Sequence, residues 1–235
     1  MFQIVFVLDI LNGIVLHASG GRRENYKPIH ITSKVCDSSD PLEIIKQLKP
    51  EQTYVADLNR LQKTGTDNYR LIKELSKHTV LMADTGIVTI EDLEPCLAVS
   101  NTAVIGTETA DINTIINASK RFPGRVNVSI DIKHGRVLAT NRATLKPIDI
   151  VSTLNKLEIN HIIVLDLDRV GTSSGFNIEL LEELCTQSEH DILVGGGIRN
   201  MKDIETLDNI GVRGALIATA IHNRNIPTKI LNRYQ

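Results

Sequence analysis

The sequence predicts a (βα)8 barrel, a fold of the α/β class in which eight parallel strands, each followed by a helix, close on themselves. Three observations support this prediction: eight short apolar segments, amphipathic stretches between them, and an internal repeat within the 235 residues. A chain of about 250 residues is typical of such a barrel. A doubly wound open sheet is the competing architecture, because the number of strands alone does not prove closure.

Apolar segments of strand length recur along the whole chain. They are Ile4 to Leu8, Thr53 to Ala56, Thr79 to Ala83, Thr102 to Ile105, Val126 to Ile130, His161 to Leu165, Asp191 to Val194 and Ala215 to Ile217. Stretches such as 41–48 and 68–75 lie between them and repeat apolar residues at helical spacing. This alternation is typical of a parallel sheet covered by helices.

Four matches in the same order relate the first half of the chain to the second. The pattern Asp-Ile-x-x-Gly-x-Val-Leu occurs from Asp9 to Leu16 and again from Asp131 to Leu138. The other matches pair Asp57 with Asp166, Gly86 with Gly197, and Thr107 with Thr219. We therefore predict two half-barrels of four βα units, about 1–122 and 123–235, that form a single domain over residues 1–235.

Composition excludes several classes of function. The chain has 26 Lys and Arg against 28 Asp and Glu, so its net charge of −2 favours neither nucleic acid nor an anionic membrane as partner. Three scattered Cys residues and the absence of metal-ligand spacing predict neither a disulfide framework nor a metal site. The N-terminal apolar run is too short to span a bilayer and has no basic flank. We expect a cytoplasmic protein, as a monomer or a small homo-oligomer.

Two carboxylates occupy equivalent places in the repeat. Asp9 follows the first predicted strand and Asp131 the fifth, so the two face each other across the mouth of the barrel. Active sites of such barrels lie at this end of the strands, which predicts an acid and base pair. The alternative is that each aspartate accepts N–H bonds from its own loop. The repeat alone does not decide between the two.

A glycine triplet follows the seventh predicted strand. Such a triplet lets the backbone approach an anion closely, and free N–H groups at the next helix start favour negative charge. The loops after strands seven and eight often bind phosphate in barrels of this kind. The predicted phosphate ligands are Gly171, Thr172, Gly195, Gly196, Gly197, Ala218 and Thr219.

The repeat predicts a second anion site after strands three and four, where the sequence differs. Asp84 takes the place of a glycine of the triplet, and Glu108 adds another charge nearby. A negative charge at ~4 Å opposes a phosphate by about 1 kcal/mol or more. Either the group bound there is not a phosphate, or Arg22, Arg23 or Lys63 compensates.

Further polar residues at the strand ends are predicted to bind substrate. This set comprises Asp57, Asp84, Thr85, Gly86, Gly106, Thr107 and Asp166. For Asp57 and Asp166, structural ion pairs with Arg60 and Arg169 are the alternative. The seven His residues are interpreted as loop or surface groups; His134 is the exception, because it follows Asp131 in the fifth loop.

Together these residues resemble the (βα)8 barrels of histidine biosynthesis, namely the ribotide isomerase and the cyclase subunit of imidazole glycerol phosphate synthase. The resemblance covers essentially the whole chain. In the isomerase, the first-strand and fifth-strand aspartates are general base and acid in an Amadori rearrangement of an aminoaldose phosphate to the aminoketose. The resemblance therefore implies this role for Asp9 and Asp131, and a phosphorylated substrate, without a metal or cofactor.

Two positions depart from the family pattern. Leu165 stands where the family has a threonine before the sixth-strand aspartate, and Val170 stands where it has the aspartate of Asp-Gly-Thr. With Asp84, these departures indicate a changed substrate. The sequence is also similar to divergent relatives associated with tetrahydromethanopterin or methanofuran, so biosynthesis of a one-carbon cofactor is an alternative. A lyase, an indole-pathway isomerase and a phosphate-binding subunit without its own chemistry are the others.

Overall fold

Eight parallel strands close into a barrel in the computed structural model, which describes residues 2–20, 23–140 and 145–232. The strands are β1 (Gln3–Leu11), β2 (Gln52–Asp57), β3 (Val80–Asp84), β4 (Thr102–Gly106), β5 (Val126–Lys133), β6 (Ile162–Asp166), β7 (Ile192–Gly195) and β8 (Gly214–Ile217). Each strand pairs in parallel with the next, and β8 pairs with β1, where Phe6 lies opposite Ile217. This closure confirms the (βα)8 barrel and excludes the open doubly wound sheet.

The connecting segments hold the helices that cover the barrel. These are α1 (Pro41–Leu48), α2 (Leu58–Gln62), α3 (Tyr69–Leu75), α4 (Leu93–Leu97), α5 (Ile112–Arg121), α6 (Pro147–Leu154), α7 (Ile178–Gln187), α8 (Met201–Asn209) and α9 (Thr219–His222). Short 3-10 turns occur at Arg23–Asn25, Ile29–Ile31, Ile90–Asp92 and Thr228–Asn232. Within the described ranges, every helix falls short of the length and apolar character that crossing a bilayer requires.

Several helices begin after a polar N-cap residue whose side chain accepts N–H groups of the first turn. Asp40 accepts from Leu42 and Glu43 ahead of α1, and Asn200 accepts from Asp203 ahead of α8. Such caps are worth about 1 kcal/mol each. They fix where each helix starts, and thus how much chain remains for the loop above the strand.

The repeated segment forms the same hairpin in both halves. β1 turns back through Asn12 and Gly13 into an antiparallel strand at Ile14–His17, and β5 turns back in the same way into Arg136–Val137. The two turn residues have φ of 51° and 79° in the first hairpin, and φ of 51° and 68° in the second, at His134 and Gly135. Positive φ at both positions is typical of the type I′ turn of tight hairpins.

Side chains alternate between the inside and the outside of the barrel along each strand. A smaller apolar cluster fills the interior and includes Val5, Tyr54, Met82, Val104, Ile163, Leu193 and Leu216. A larger one, with Phe6, Leu8, Val55 and Ile105, lies between the strands and the helices. Because Val5 points inward, the alternation turns Asp9 inward as well, at the C-terminal end of the barrel.

Candidate active site

A cavity of roughly 310 Å³ opens at the C-terminal ends of the strands. This volume is at the lower end of the range of about 300–1,000 Å³ that is usual for small-molecule sites. Most of the predicted site residues border it, namely Asp9, Asp84, Gly106, Asp131, Gly171, Gly195, Gly196, Gly197, Ala218 and Thr219. The fold therefore brings residues from five strand ends and three loops to one concave surface.

Asp131 is held firmly in the wall of this cavity. Its carboxylate is buried, with Ser129 Oγ donating to Oδ1 at 2.6 Å and the backbone N–H of Glu108 donating to Oδ2 at 3.1 Å. Its own N–H donates to Thr107 Oγ1 at 3.1 Å. A Cβ at Gly106 would lie 2.6 Å from Asp131 Oδ2, so a residue with a side chain would displace the carboxylate.

The environment of Asp131 makes it harder to ionise. Burial raises the pKa of its carboxyl to about 7, and the charges of Asp84 and Glu108 act in the same direction. The hydrogen bonds from Ser129 and from the Glu108 N–H oppose this shift without cancelling it. At neutral pH a large fraction of the molecules therefore carries a proton on Asp131, which suits a general acid.

Tyr54 lies among the acidic groups of the cavity. Its hydroxyl donates to Asp84 Oδ2 at 2.9 Å, and the N–H of Gly86 donates to the other oxygen of Asp84 at 3.1 Å. Burial raises the pKa of the Tyr54 phenol, and the charges of Asp84, Asp131 and Asp9 raise it further. The negative charges of three carboxylates thus act on the pKa of one phenol. Sequence reasoning missed Tyr54, although its inward place in the strand alternation was a usable signal.

The wall above β6, β7 and β8 is built from backbone and neutral groups. Gly196 and Gly197 have φ of +96° and +83°, a region that favours glycine. A Cβ on Gly197 would lie 1.9 Å from the carbonyl oxygen of Gly175, and a Cβ on Gly171 would lie 1.9 Å from that of Ala18. The loops after β1, β6 and β7 therefore meet by direct backbone contact.

Thr172 and Asp57 lie off the cavity. Thr172 Oγ1 is 2.9 Å from the carbonyl oxygen of Arg169 and 2.8 Å from Ser174 Oγ, and Ser173 borders the cavity in its place. Asp57 is buried at the end of β2, where it accepts backbone N–H groups of Asn59, Arg60 and Asn68 at the start of α2 and α3. Asp57 thus caps helices of its own loop and does not border the cavity, so the predicted substrate role finds no support there.

The ion pairs named as the alternative for Asp166 and Asp57 had different outcomes. Asp166 pairs with Arg169 at 2.9 Å, as that alternative predicts, and does not border the cavity. The alternative pair of Asp57 with Arg60 is wrong, because the Arg60 guanidinium turns to Asp92 at 2.8 Å. Equal spacing in the sequence therefore produced different partners in the two halves.

Three predicted substrate ligands support the cavity from behind. Thr107 accepts the N–H of Asp131, Gly86 donates to Asp84, and the carbonyl of Thr85 accepts from Arg60 Nε at 2.8 Å. None of the three borders the cavity. Thr107 and Gly86 position the acidic groups, and Thr85 holds the side chain of Arg60.

Among the described side chains, no basic residue that was expected to offset the negative charge of Asp84 borders the cavity. Lys63 is exposed and lies off the cavity wall. Arg22 and the side chain of Arg23 lie outside the described residues. Lys133 borders the cavity instead. His134 is exposed on its hairpin turn, with its Nδ1 3.3 Å from Asp168, and does not reach the mouth.

Two histidines that the sequence did not single out border the cavity, namely His17 and His222. His17 Nε2 is 3.3 Å from Thr219 Oγ1, and His222 is almost completely buried. Over residues 2–20, 23–140 and 145–232, no three His, Cys, Asp or Glu side chains are grouped so that they could hold a metal ion.

The family model described as "Histidine biosynthesis protein" matches residues 3–227. The chain belongs to the histidine biosynthesis protein family. This confirms the resemblance that the two aspartates and the glycine loops indicated.

Proteins from several organisms are similar to this chain over most of their length. An uncharacterised protein of Methanocaldococcus jannaschii is 33% identical over 239 residues, which cover 99% of each chain. An imidazole-4-carboxamide isomerase of Trichodesmium erythraeum is 26% identical over 98% of this chain and 92% of its own. The corresponding isomerase of Ruminiclostridium cellulolyticum is 27% identical over 75% of this chain and 78% of its own. The names of both isomerases include two phosphoribosyl groups.

Proposed function

We propose that this protein is an isomerase that converts a phosphorylated aminoaldose into the corresponding aminoketose, with Asp131 as general acid and Asp9 as general base. One observation carries the proposal. Asp131 is a buried carboxyl with a pKa raised to about 7, and it borders the same cavity as Asp9. A carboxyl that titrates near neutral pH, together with a second carboxylate on the same cavity, suits proton transfer in both directions.

The proposed reaction moves protons without a net gain or loss of atoms. Asp131 protonates the ring oxygen, the C1–O bond breaks with its electron pair left on oxygen, and the nitrogen lone pair forms a C1=N bond. Asp9 then removes the proton from C2, which gives an enaminol. A proton returns to C1 while the C2 hydroxyl loses its proton and becomes a carbonyl. The product is therefore an isomer of the substrate.

The proposed substrate carries one phosphate, placed against the second half of the barrel. Gly195, Gly196 and Gly197 expose backbone there, and Thr219 adds a hydroxyl. Asp84 and Glu108 on the other side oppose a second phosphate electrostatically. The small cavity volume supports the same choice, because a single phosphosugar amine needs less room than a compound with two phosphoribosyl groups.

The proposal is tested by NMR in D2O with a panel of N-(5-phosphoribosyl) amines that includes the substrate named for the isomerase relatives. We expect a C2 carbonyl signal and one deuterium at C1 of the product. Asp9→Asn and Asp131→Asn should each lower kcat by about 10²- to 10⁴-fold, since each removes one partner of the proton transfer. Asp149→Asn, at an exposed position of α6, controls for the change in charge. Undiminished turnover in both site variants would contradict the proposal.

A phosphate-binding subunit without chemistry of its own is the second candidate. It is favoured by Leu165 and Val170, which border the cavity and make part of its wall apolar. Binding of phosphate esters without turnover of any panel member would support this candidate over the isomerase. A lyase reaction and a role in one-carbon cofactor biosynthesis stay predictions from the sequence.

A further inference from the structure

His222, the last residue of α9, is buried beside the cavity with one ring nitrogen unpaired. It is 2% exposed, and its ring packs against Phe6 with the centroids 5.6 Å apart. Nδ1 lies 2.9 Å from Ser33 Oγ. For Nε2, the part of the chain that the structure describes offers no hydrogen-bond partner. A buried polar atom without a partner is unfavourable, and because His222 borders the cavity, a ligand there is a candidate partner for Nε2.

Ser33 determines which nitrogen of His222 carries the proton. Ser33 Oγ accepts the backbone N–H groups of Val35 and Cys36, each at 3.1 Å. The Cys36 thiol is a further neighbour, with its Sγ 3.2 Å from Ser33 Oγ and 3.8 Å from His222 Nδ1. A hydroxyl has two acceptor positions and one donor, and a thiol is a weak partner, so we assign the Ser33 O–H as donor to His222 Nδ1. A neutral imidazole whose Nδ1 accepts carries its proton on Nε2. Burial lowers the pKa of His222 to about 4, which keeps the ring neutral at pH 7. The unpaired group is therefore an N–H donor.

The donor belongs to a cluster of polar groups at the end of β8. Thr219 precedes His222 by three residues on α9, which places the two on one side of the helix. His17 Nε2 is 3.3 Å from Thr219 Oγ1, and His17 Nδ1 is 3.2 Å from Thr32 Oγ1. All three of His17, Thr219 and His222 border the cavity. An acceptor placed there would meet a hydroxyl and an imidazole N–H together.

We propose that His222 is a ligand-binding residue whose Nε2–H donates to a phosphoryl oxygen bound between Thr219 and the Gly195–Gly197 loop. This inference rests on the phosphate site of the proposed function and adds a donor from inside the barrel wall to it. A phosphoryl oxygen fits because it accepts several hydrogen bonds at once, from the backbone, the Thr219 hydroxyl and the imidazole. The phosphoryl group is that of a sugar phosphate or of inorganic phosphate.

Two substitutions separate the two ends of the ring. His222→Asn keeps an amide near the position of Nδ1, where it still meets Ser33, and leaves nothing at Nε2. His222→Gln extends an amide N–H to the position of Nε2. Calorimetry measures Kd for inorganic phosphate and, in a second arm, for ribose 5-phosphate. We expect His222→Asn to weaken binding by about 10- to 100-fold and His222→Gln by about threefold or less. His161→Asn, at the opposite end of the barrel, serves as control.

NMR of the wild-type protein provides a measurement that needs no folded variant. Long-range ¹H–¹⁵N spectra of the imidazoles should report a proton on His222 Nε2 and a downfield shift of that proton when phosphate is added. Equal Kd values for wild type and a folded His222→Asn, or an unchanged Nε2 proton, would overturn the inference and leave the phosphate site in place. Absence of phosphate binding to wild type would overturn both. Binding that depends on His222, without turnover of any amine, supports the inference and contradicts the isomerase alone.

Discussion

The two halves of the barrel keep the same backbone features but place different charges above their third and fourth strands. Gly86 and Gly197 both have left-handed φ, at 63° and 83°. Two residues before each of them, β3 ends at Asp84 and β7 ends at Gly195. The wall above β3 and β4 is therefore acidic, with Asp84 and Glu108, whereas the wall above β7 and β8 is neutral and consists largely of backbone. The duplicated path of the chain was retained while its chemistry diverged.

Because of this difference, the two sides of the cavity favour groups of different charge. An anionic group is favoured at the glycine wall and opposed at the acidic wall, whereas a protonated nitrogen is favoured at the acidic wall. The proposed substrate, with one phosphate and one amine, would bind in such a cavity in one orientation. The comparison of the halves leads to three predictions, concerning the backbone contacts, the buried acid and the charge at Asp84.

Gly197→Ala should be more destabilising than Gly86→Ala. Both positions have left-handed φ, which costs an alanine about 1–2 kcal/mol. At Gly197 the new Cβ would also lie 1.9 Å from a carbonyl oxygen, whereas the nearest atom at Gly86 is 3.3 Å away. We expect a loss of about 3 kcal/mol or more for Gly197→Ala and about 1–2 kcal/mol for Gly86→Ala.

Urea unfolding of the two glycine variants measures this difference. Gly211→Ala is the matched control, because Gly211 has φ of +93° and its nearest neighbouring atom is 3.6 Å away. It reports the cost of the backbone conformation alone. Equal losses of unfolding free energy in all three variants would mean that the loop above β7 makes room for a Cβ at little cost. The two halves would then not differ in the tightness of this contact.

The buried acid Asp131 should make stability depend on pH. Its folded pKa of about 7 exceeds the ordinary 3.8, so between these values the folded state binds more protons than the unfolded state. Stability from this group is therefore present at low pH and is lost as the pH rises through about 7. Relative to Asp131→Asn, wild type should lose about 2–3 kcal/mol of unfolding free energy between about pH 5 and about pH 8.

The comparison of wild type with Asp131→Asn isolates this contribution from other groups. His222 acts in the opposite sense, because its pKa is lowered to about 4 and its contribution is lost as the pH falls below 6.5. Asp149→Asn controls for the change in net charge. A pH-independent difference between wild type and Asp131→Asn would contradict a raised pKa at Asp131.

Removing the charge of Asp84 should have the smallest effect of the three. Asp84→Asn keeps the shape of the side chain and an oxygen that can accept from Tyr54. We expect a ligand with two phosphates to bind about fivefold tighter, while a ligand with one phosphate changes less, because one repulsive charge is worth about 1 kcal/mol. Calorimetry with both ligands gives the difference, and Asp149→Asn again is the control. An equal change for both ligands would show that Asp84 does not distinguish the two ends of the cavity.

The internal repeat made the fold predictable. Period-2 alternation and equal spacing determine where strands begin and on which face Asp9 and Asp131 lie. Strand starts at 79, 161 and 191 were predicted one residue early, since Val80, Ile162 and Ile192 are the first residues in the ladder. A local pattern was sufficient for these features because they depend on neighbours close in sequence.

The details of the site depended on contacts between distant segments. Arg60 turns to Asp92, 32 positions away, and this removed the ion pair expected from local spacing. Ser173 has a φ of 51°, and it borders the cavity where Thr172 was expected. The interpretation of His222 as a loop or surface residue is wrong, because the residue is buried and its partner Ser33 lies 189 positions earlier in the chain. No local pattern in one sequence contains this information.

The backbone contact between the loops after β1 and β6, here called the seam, limits how the barrel can be divided into two halves. The N–H of Gly20 donates to the carbonyl of Val170 at 2.7 Å, next to the point where Gly171 touches Ala18. The seam joins the long first loop to the sixth, so each half covers part of the other. A symmetric chimera made of two copies of the second half would lack segment 18–20 and would leave Gly171 without its neighbour. The two halves therefore cannot replace each other directly. We expect a stable chimera to need the first loop, which supplies the contact with Gly171.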